Sequence, residues 1–163
     1  MKKVYAREAE RVGINLNRRA YDPHDYESSD PINQALTSAN SALYGIAHAV
    51  IAGLGFVPAL GVVHNGTDRA FVYDIADLYK AEIAIPAAFD AVASGAMKPG
   101  VVVRRLVRDA VVEKRLMPRM VNDLKYVMNV SDEDTFSDAE LFLWSELEVI
   151  ASGVNWSEHE AAP

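Results

Sequence analysis

His64, Asp74 and Asp77 stand in the stretch His-Asn-Gly-Thr-Asp-Arg-Ala-Phe-Val-Tyr-Asp-Ile-Ala-Asp, and they are the residues of this chain best suited to chemistry. Two carboxylates three apart on a helix share one face, with Cβ atoms roughly 5–6 Å apart. They repel each other, and a bound cation removes the repulsion. An imidazole upstream, beyond an Asn65-Gly66 turn, can add a nitrogen ligand. A mixed oxygen and nitrogen set suits Mg²⁺ or Mn²⁺, and Mn²⁺ accepts imidazole more readily. Such an ion supports phosphodiester chemistry on a nucleic acid. The same spacing also describes a solvated helix face with an unrelated histidine.

A second set is basic: Arg18, Arg19, Lys80, Arg104, Arg105 and Arg108. Lys80 lies one turn beyond Asp77, and Arg104 and Arg108 share a helix face at i, i+4. They read either as phosphate contacts or as a solvated face in which Arg108 neighbours Asp109 and Glu113. A third set comprises Tyr21, Tyr26, Tyr44 and Tyr73. Tyrosines can stack on unpaired bases, but Tyr44 lies in an apolar helix, where a packed core residue is the plainer reading. His48, on the same helix, reads as a core or interface residue.

The elements that must position these groups read as helices. Residues 2–12 form an amphipathic pattern that Gly13 can cap. Residues 14–29 read as a loop. Asp30-Pro31 is a helix start, with Asp as N-cap and Pro in the first turn. The helix it opens should run to about Ala52, apolar nearly all round and therefore central. Gly53, Gly55 and Pro58 break the pattern. A third helix is expected from about Ala70 to Ile85, with Pro86 kinking it or starting the next. Gly95, Pro99 and Gly100 read as a loop. From Val101 to Leu116 the β-branched content carries some strand character, but the apolar positions 102, 103, 106, 107, 110 and 111 repeat at helical spacing. Met117-Pro118 reads as a junction and 119–128 as a further helical turn or two. Ser137-Asp138-Ala139-Glu140 can open a last helix bearing Leu141, Trp144, Leu147 and Ile150 on one face.

The chain has 163 residues, half of them hydrophobic, enough for a single domain with its own core. It has no cysteine, which rules out disulfides and thiolate metal sites and fits a reducing cytoplasm. The longest apolar stretch, Ala42 to Leu60, is interrupted by three glycines, His48 and Pro58, so it reads as core and not as a membrane span. The net charge of −7 is unevenly spread. Residues 131–163 hold nine acids and no Lys or Arg, so residues 1–130 carry a net of +2. Two regions are therefore expected: a mildly basic helical body over 1–130 with the metal- and DNA-binding residues, and an acidic C-terminal helix and tail over 131–163.

Five runs carry a family resemblance: Asn17-Arg18-Arg19-Ala20-Tyr21-Asp22-Pro23, Asp-Pro-Ile-Asn-Gln-Ala-Leu at 30–36, Leu-Tyr-Gly at 43–45, Gly-Phe-Val-Pro-Ala-Leu-Gly-Val-Val-His at 55–64 and Phe-Val-Tyr-Asp-Ile-Ala-Asp at 71–77. Together they resemble the integrase of CRISPR adaptation, the endonuclease that inserts new spacers, in its type I-E-like branch. The resemblance extends from about Met1 to about Arg119. It implies an all-α, multi-helix catalytic domain without the family's N-terminal β-domain, with His64 and Asp77 as ligands of Mg²⁺ or Mn²⁺ and Asp74 as a neighbouring acidic residue of the catalytic site. It also implies DNA-backbone contacts at Arg19, Lys80 and Arg104, to which Arg108 is added because it shares a helix face with Arg104, and it places Tyr21 and Tyr44 near the end of the protospacer. The implied partners are duplex DNA with single-stranded 3′ ends, CRISPR repeat DNA, a second copy in a homodimer, and a small companion protein. The family's third ligand, a Glu in a Glu-Gly-x-Arg motif, falls about four residues before Met1, so the chain is expected to be an incomplete fragment. The competing expectation is a catalytically inactive helical module, derived from the integrase, that binds DNA or protein.

Overall fold

The computed structural model describes residues 2–14 and 30–131, together with two short strands at 142–144 and 149–151. The chain divides into two compact units, Met1–Met128 and Asn129–Pro163. Arg18, Arg19, Tyr21 and Tyr26, with most of the expected 14–29 loop, lie outside the described residues.

The first unit is all-α, as the sequence leads one to expect. Helix α1 spans Lys2–Val12. Gly13 follows at φ +69°, and Ile14 N donates to Ala9 O, closing the helix end. Buried Glu8 is held by Arg7 and Arg11 on its own helix, and Arg11 reaches Asp90 at 2.7 Å. Burial pushes the Glu8 carboxyl up, but the bonds from Arg11 and Arg7 outweigh it and leave its pKa lowered.

Helix α2 spans Pro31–Gly53, and the Asp30 carboxylate caps it by accepting from Ile32 N and Asn33 N. Ala35, Leu36, Ala39, Leu43, Ala47, Val50 and Ile51 are buried along it. The alanines at 35, 39 and 47 lack bulk and let neighbouring helices approach. It packs against most of the other described helices of this unit, so it is the central element. His48, expected as a core or interface residue, is exposed on it, which excludes the core alternative.

The expected single helix from 70 to 85 is divided. Helix α3 spans Ala70–Asp77 and a turn follows at Leu78–Tyr79. A π-helical segment then covers Lys80–Ala84, and α4 covers Ile85–Ala93. Pro86 supplies a local reason. It has no N–H, and its ring clashes with the carbonyl four residues back in a regular helix. The wider turn, in which Ile85 N donates to Lys80 O, accommodates this.

Helix α5 spans Pro99–Glu113. The valine-rich run is helical, with Val103, Val107 and Val111 buried at four-residue spacing. Pro99 and Gly100, expected in a loop, form its first turn, where proline's missing donor costs nothing. Arg115 turns the chain at φ 50° into α6, Leu116–Val127. Leu116, Met120 and Leu124 are buried, and Met117-Pro118 sits in the first turn. Arg119 meets Glu82 at 2.7 Å and Tyr79 Oη donates to Asp123 at 2.7 Å, so α6 is tied to the π-helical region.

In the second unit, β1 (Phe142–Trp144) pairs antiparallel with β2 (Val149–Ala151), with Leu143 opposite Ile150 and Trp144 opposite Val149. The expected C-terminal helix through Trp144 and Ile150 is not what forms here. Phe-Leu-Trp and Val-Ile are aromatic and β-branched runs that suit a pleated surface. Their local preference agrees with the strand pair better than the helical spacing suggested.

Candidate functional site

The loop between α2 and α3 carries His64, and Asp74 on α3 organises that loop. Asp74 Oδ2 accepts from Val62 N at 2.6 Å and Val63 N at 3.0 Å, and Oδ1 accepts from His64 N at 3.0 Å. The same Oδ1 lies 2.6 Å from His64 Nδ1. One carboxylate thus gathers three consecutive backbone donors and an imidazole. Burial raises the Asp74 pKa, but the bonds from Val63, the His64 ring, Val62 and His64 N prevail and bring it down to about 2. An ionised carboxylate has no proton to give, so the neutral imidazole carries its hydrogen on Nδ1. In that tautomer the lone pair sits on Nε2.

Gly61, which the sequence did not single out, makes the loop possible. A Cβ there would lie 1.8 Å from the His64 carbonyl oxygen and 2.5 Å from Ala70 Cβ. The chain folds so tightly around this point that only a hydrogen fits. The one signal was its place in the Gly-Phe-Val-Pro-Ala-Leu-Gly run, since nothing local marks a steric need created by residues 64 and 70. Gly66 at φ +77° provides the turn expected at Asn65-Gly66. Phe71 N donates to Pro58 O at 2.9 Å, anchoring the loop to the start of α3.

Asp77, the last residue of α3, has a different partner. Its Oδ1 lies 2.5 Å from Lys80 Nζ. Lys80 Nζ also sits 4.8 Å from the centre of the Tyr44 ring. Burial favours the neutral amine, yet the Asp77 and Tyr44 side chains together leave the Lys80 pKa raised. Tyr44 meets Tyr73 edge-on with centroids 4.9 Å apart, and Tyr73 meets the His64 ring at 5.8 Å. A continuous run of contacts therefore leads from His64 through Tyr73, Tyr44 and Lys80 to Asp77. Tyr44 is half-buried here, neither a sealed core residue nor a free one.

The donor chemistry of His64 Nε2 and the Asp77 carboxylate fits a divalent cation in kind. A carboxylate on the far ring nitrogen of a histidine is the usual support for a metal-binding imidazole. Among the described residues, no three His, Cys, Asp or Glu side chains gather as a ready metal cage. Arg104, Arg105 and Arg108 are exposed on α5, and Arg108 is paired with Asp109 at 2.7 Å. No described helix is long and apolar enough to cross a membrane.

Comparison with known proteins agrees with this architecture. A CRISPR-associated endonuclease Cas1 from a Clostridium species is 40% identical over 160 residues, covering 96% of this chain and 53% of the relative. The CRISPR-associated endonuclease Cas1 2 of Thermus thermophilus is 47% identical over 124 residues, covering 76% of this chain and 38% of that protein. The chain spans about half the length, or less, of these curated relatives. In the crystal structure of a TtCas1–DNA complex, one chain superposes with a TM-score of 0.74 at 46% identity, over 77% of this chain and 48% of that one. The family described as CRISPR associated protein Cas1 matches residues 5–119, which hold α2 to α5 and every candidate site residue, and on this evidence the chain belongs to that family.

Proposed function

We propose that this chain is the helical, site-bearing portion of a divalent-metal-dependent DNA endonuclease and integrase that acts in CRISPR spacer acquisition. The observation that carries the reading is the Asp74 arrangement, which holds the His64 ring through Nδ1 one helical turn from Asp77 on α3. Family membership supports the activity class, and the relatives are named endonucleases. The DNA in the structure of the similar TtCas1 supports nucleic acid as the substrate.

His64 Nε2 and the Asp77 carboxylate would hold Mg²⁺ or Mn²⁺, which when bound polarises a scissile phosphodiester and stabilises the charge that develops on it. Asp74 does not need to touch the ion. It locks the imidazole tautomer, aims the ring, and fixes the backbone behind it. The exposed arginines at 104, 105 and 108 supply positive charge along α5 for the phosphate backbone, and such contacts make binding fall steeply with salt. Tyr44 and Tyr73 offer aromatic surface beside His64 on which an unpaired base can stack. Two protein donors are few for a phosphoryl-transfer site. Full activity therefore calls for a further donor beside these two.

The deciding experiment is a nicking and strand-transfer assay with splayed-end duplex DNA and Mn²⁺, run beside an intact relative. The expected result is salt-dependent DNA binding, with cleavage much weaker than the relative's and lost altogether in His64→Ala. Robust cleavage that depends on His64 would show that the chain needs no further donor. DNA binding without any cleavage, unaffected by His64→Ala, would favour an inactive DNA-binding module. No DNA binding at low salt would overturn the reading.

A further inference from the structure

The Asp77–Lys80 contact gives the candidate cation site a tenant of its own. Lys80 is the first residue of the π-helical segment, placed just after α3 ends and the Leu78–Tyr79 turn intervenes. Its side chain is 15% exposed, whereas that of Asp77 is 43% exposed. A surface lysine ordinarily lays its stem on the protein and keeps its ammonium in water. Here the ammonium is turned onto a carboxylate at 2.5 Å and is faced by the Tyr44 ring at 4.8 Å. Tyr44 is itself braced by Tyr73. The lysine's position is thus built, and the carboxylate it neutralises is the more exposed partner of the pair.

The geometry points to Lys80 as a resident counter-ion that competes with a divalent cation for Asp77 and leaves the carboxylate when that cation binds. This rests on the reading of Asp77 as a metal ligand. A carboxylate with no cation beside it would face the Asp74 charge one turn away on the same helix, and the Lys80 ammonium offsets that repulsion. A divalent ion placed on Asp77 would instead repel the ammonium at a few ångströms, so the two cannot share the carboxylate at full strength. Asp74 has no comparable exchange to make, because its partners are fixed backbone donors and the His64 ring.

The test is calorimetric titration of the full chain with Mn²⁺ alone, comparing wild type with Lys80→Met, which keeps the aliphatic stem and removes the charge. The variant is expected to bind Mn²⁺ about fivefold more tightly, the scale of a partly exposed ion pair. Lys98→Met, which removes an exposed positive charge outside the site, should change the affinity less than about twofold at physiological ionic strength, where screening is strong. Equal affinity in wild type and Lys80→Met, with binding lost in Asp77→Asn, overturns the competition and leaves Asp77 standing as a ligand. Absence of Mn²⁺ binding in every form overturns both, because removing the tenant should have opened the site. The wild-type chain gives a second readout that does not depend on the variant's folding. The Lys80 ammonium resonance, followed by NMR, should shift as Mg²⁺ is added to saturation, and a resonance that stays in place overturns the proposal.

Discussion

Asp74 and Asp77 are the same residue type, one helical turn apart on α3, and the fold puts them to opposite uses. Asp74 has a side chain 8% exposed and is surrounded by donors that cannot move away without rearranging the loop. Asp77 is largely open and is held by one flexible side chain. A carboxylate satisfied by consecutive backbone N–H groups is an architectural element, because withdrawing it strands several donors at once. A carboxylate satisfied by a lysine is available for exchange. Spacing along a helix reveals that two acids share a face, but not which of them is committed.

The sharpest way to break this contrast is to remove the clearance on which the Asp74 side depends. Gly61→Ala sets a Cβ against the His64 carbonyl oxygen. It is expected to cost about 3 kcal/mol or more, since backbone on both sides must move. Denaturant melts would measure the loss, and the His64 ring resonances should move with it. Unchanged stability would mean the loop is looser than the Asp74 contacts imply.

Asp74→Asn is next. Each carboxylate oxygen serves two donors, so an amide NH2 in place of either one sets donor against donor. The expected cost is about 2 kcal/mol, with the imidazole released from its fixed orientation. A variant as stable as wild type would remove Asp74 from its architectural role.

Acid should reach the same contact more gently. The Asp74 pKa is lowered from 3.8 to about 2 in the folded chain. Its contribution is therefore fully present above about pH 4 and is lost as pH falls toward 2, where the folded carboxylate takes up a proton. Unfolding free energy measured across that window should fall with pH in wild type and fall less in Asp74→Asn. Identical slopes would show that other carboxylates account for the acid sensitivity.

Asp77→Asn should have the smallest effect on folding, within about 0.5 kcal/mol, because its pair is partly exposed. The same change should abolish Mn²⁺ binding. A large loss of stability here would erase the distinction between the two aspartates and make Asp77 structural as well.

Much of the helical framework was legible because its signals are local. Asp30-Pro31 announced α2, Gly13 closed α1, and the helical spacing of apolar positions 102, 103, 106, 107, 110 and 111 favoured helix for α5 over the strand that its valines' shape suggests. The division of α3 from α4 was only half legible. Pro86 marked a disturbance, but a proline can kink a helix, end it or widen it, and the choice depends on what packs around it. The helix expected through Trp144 and Ile150 was misread because a periodic apolar pattern in a short window suits either structure, and aromatic and β-branched content pulled it toward paired strands.

The sequence by itself determined the family to which the pattern belongs, and it singled out His64, Asp74 and Asp77 as candidates beside an Asn65-Gly66 turn. Only the tertiary structure decided their roles. That Asp74 collects the backbone of 62–64, that Gly61 must lack a side chain, and that Lys80 lies on Asp77 beside Tyr44 are all consequences of segments meeting in space. Hydrogen bonds and steric limits act over a few ångströms, so they appear only when the loop, α2, α3 and the π-helical turn are assembled.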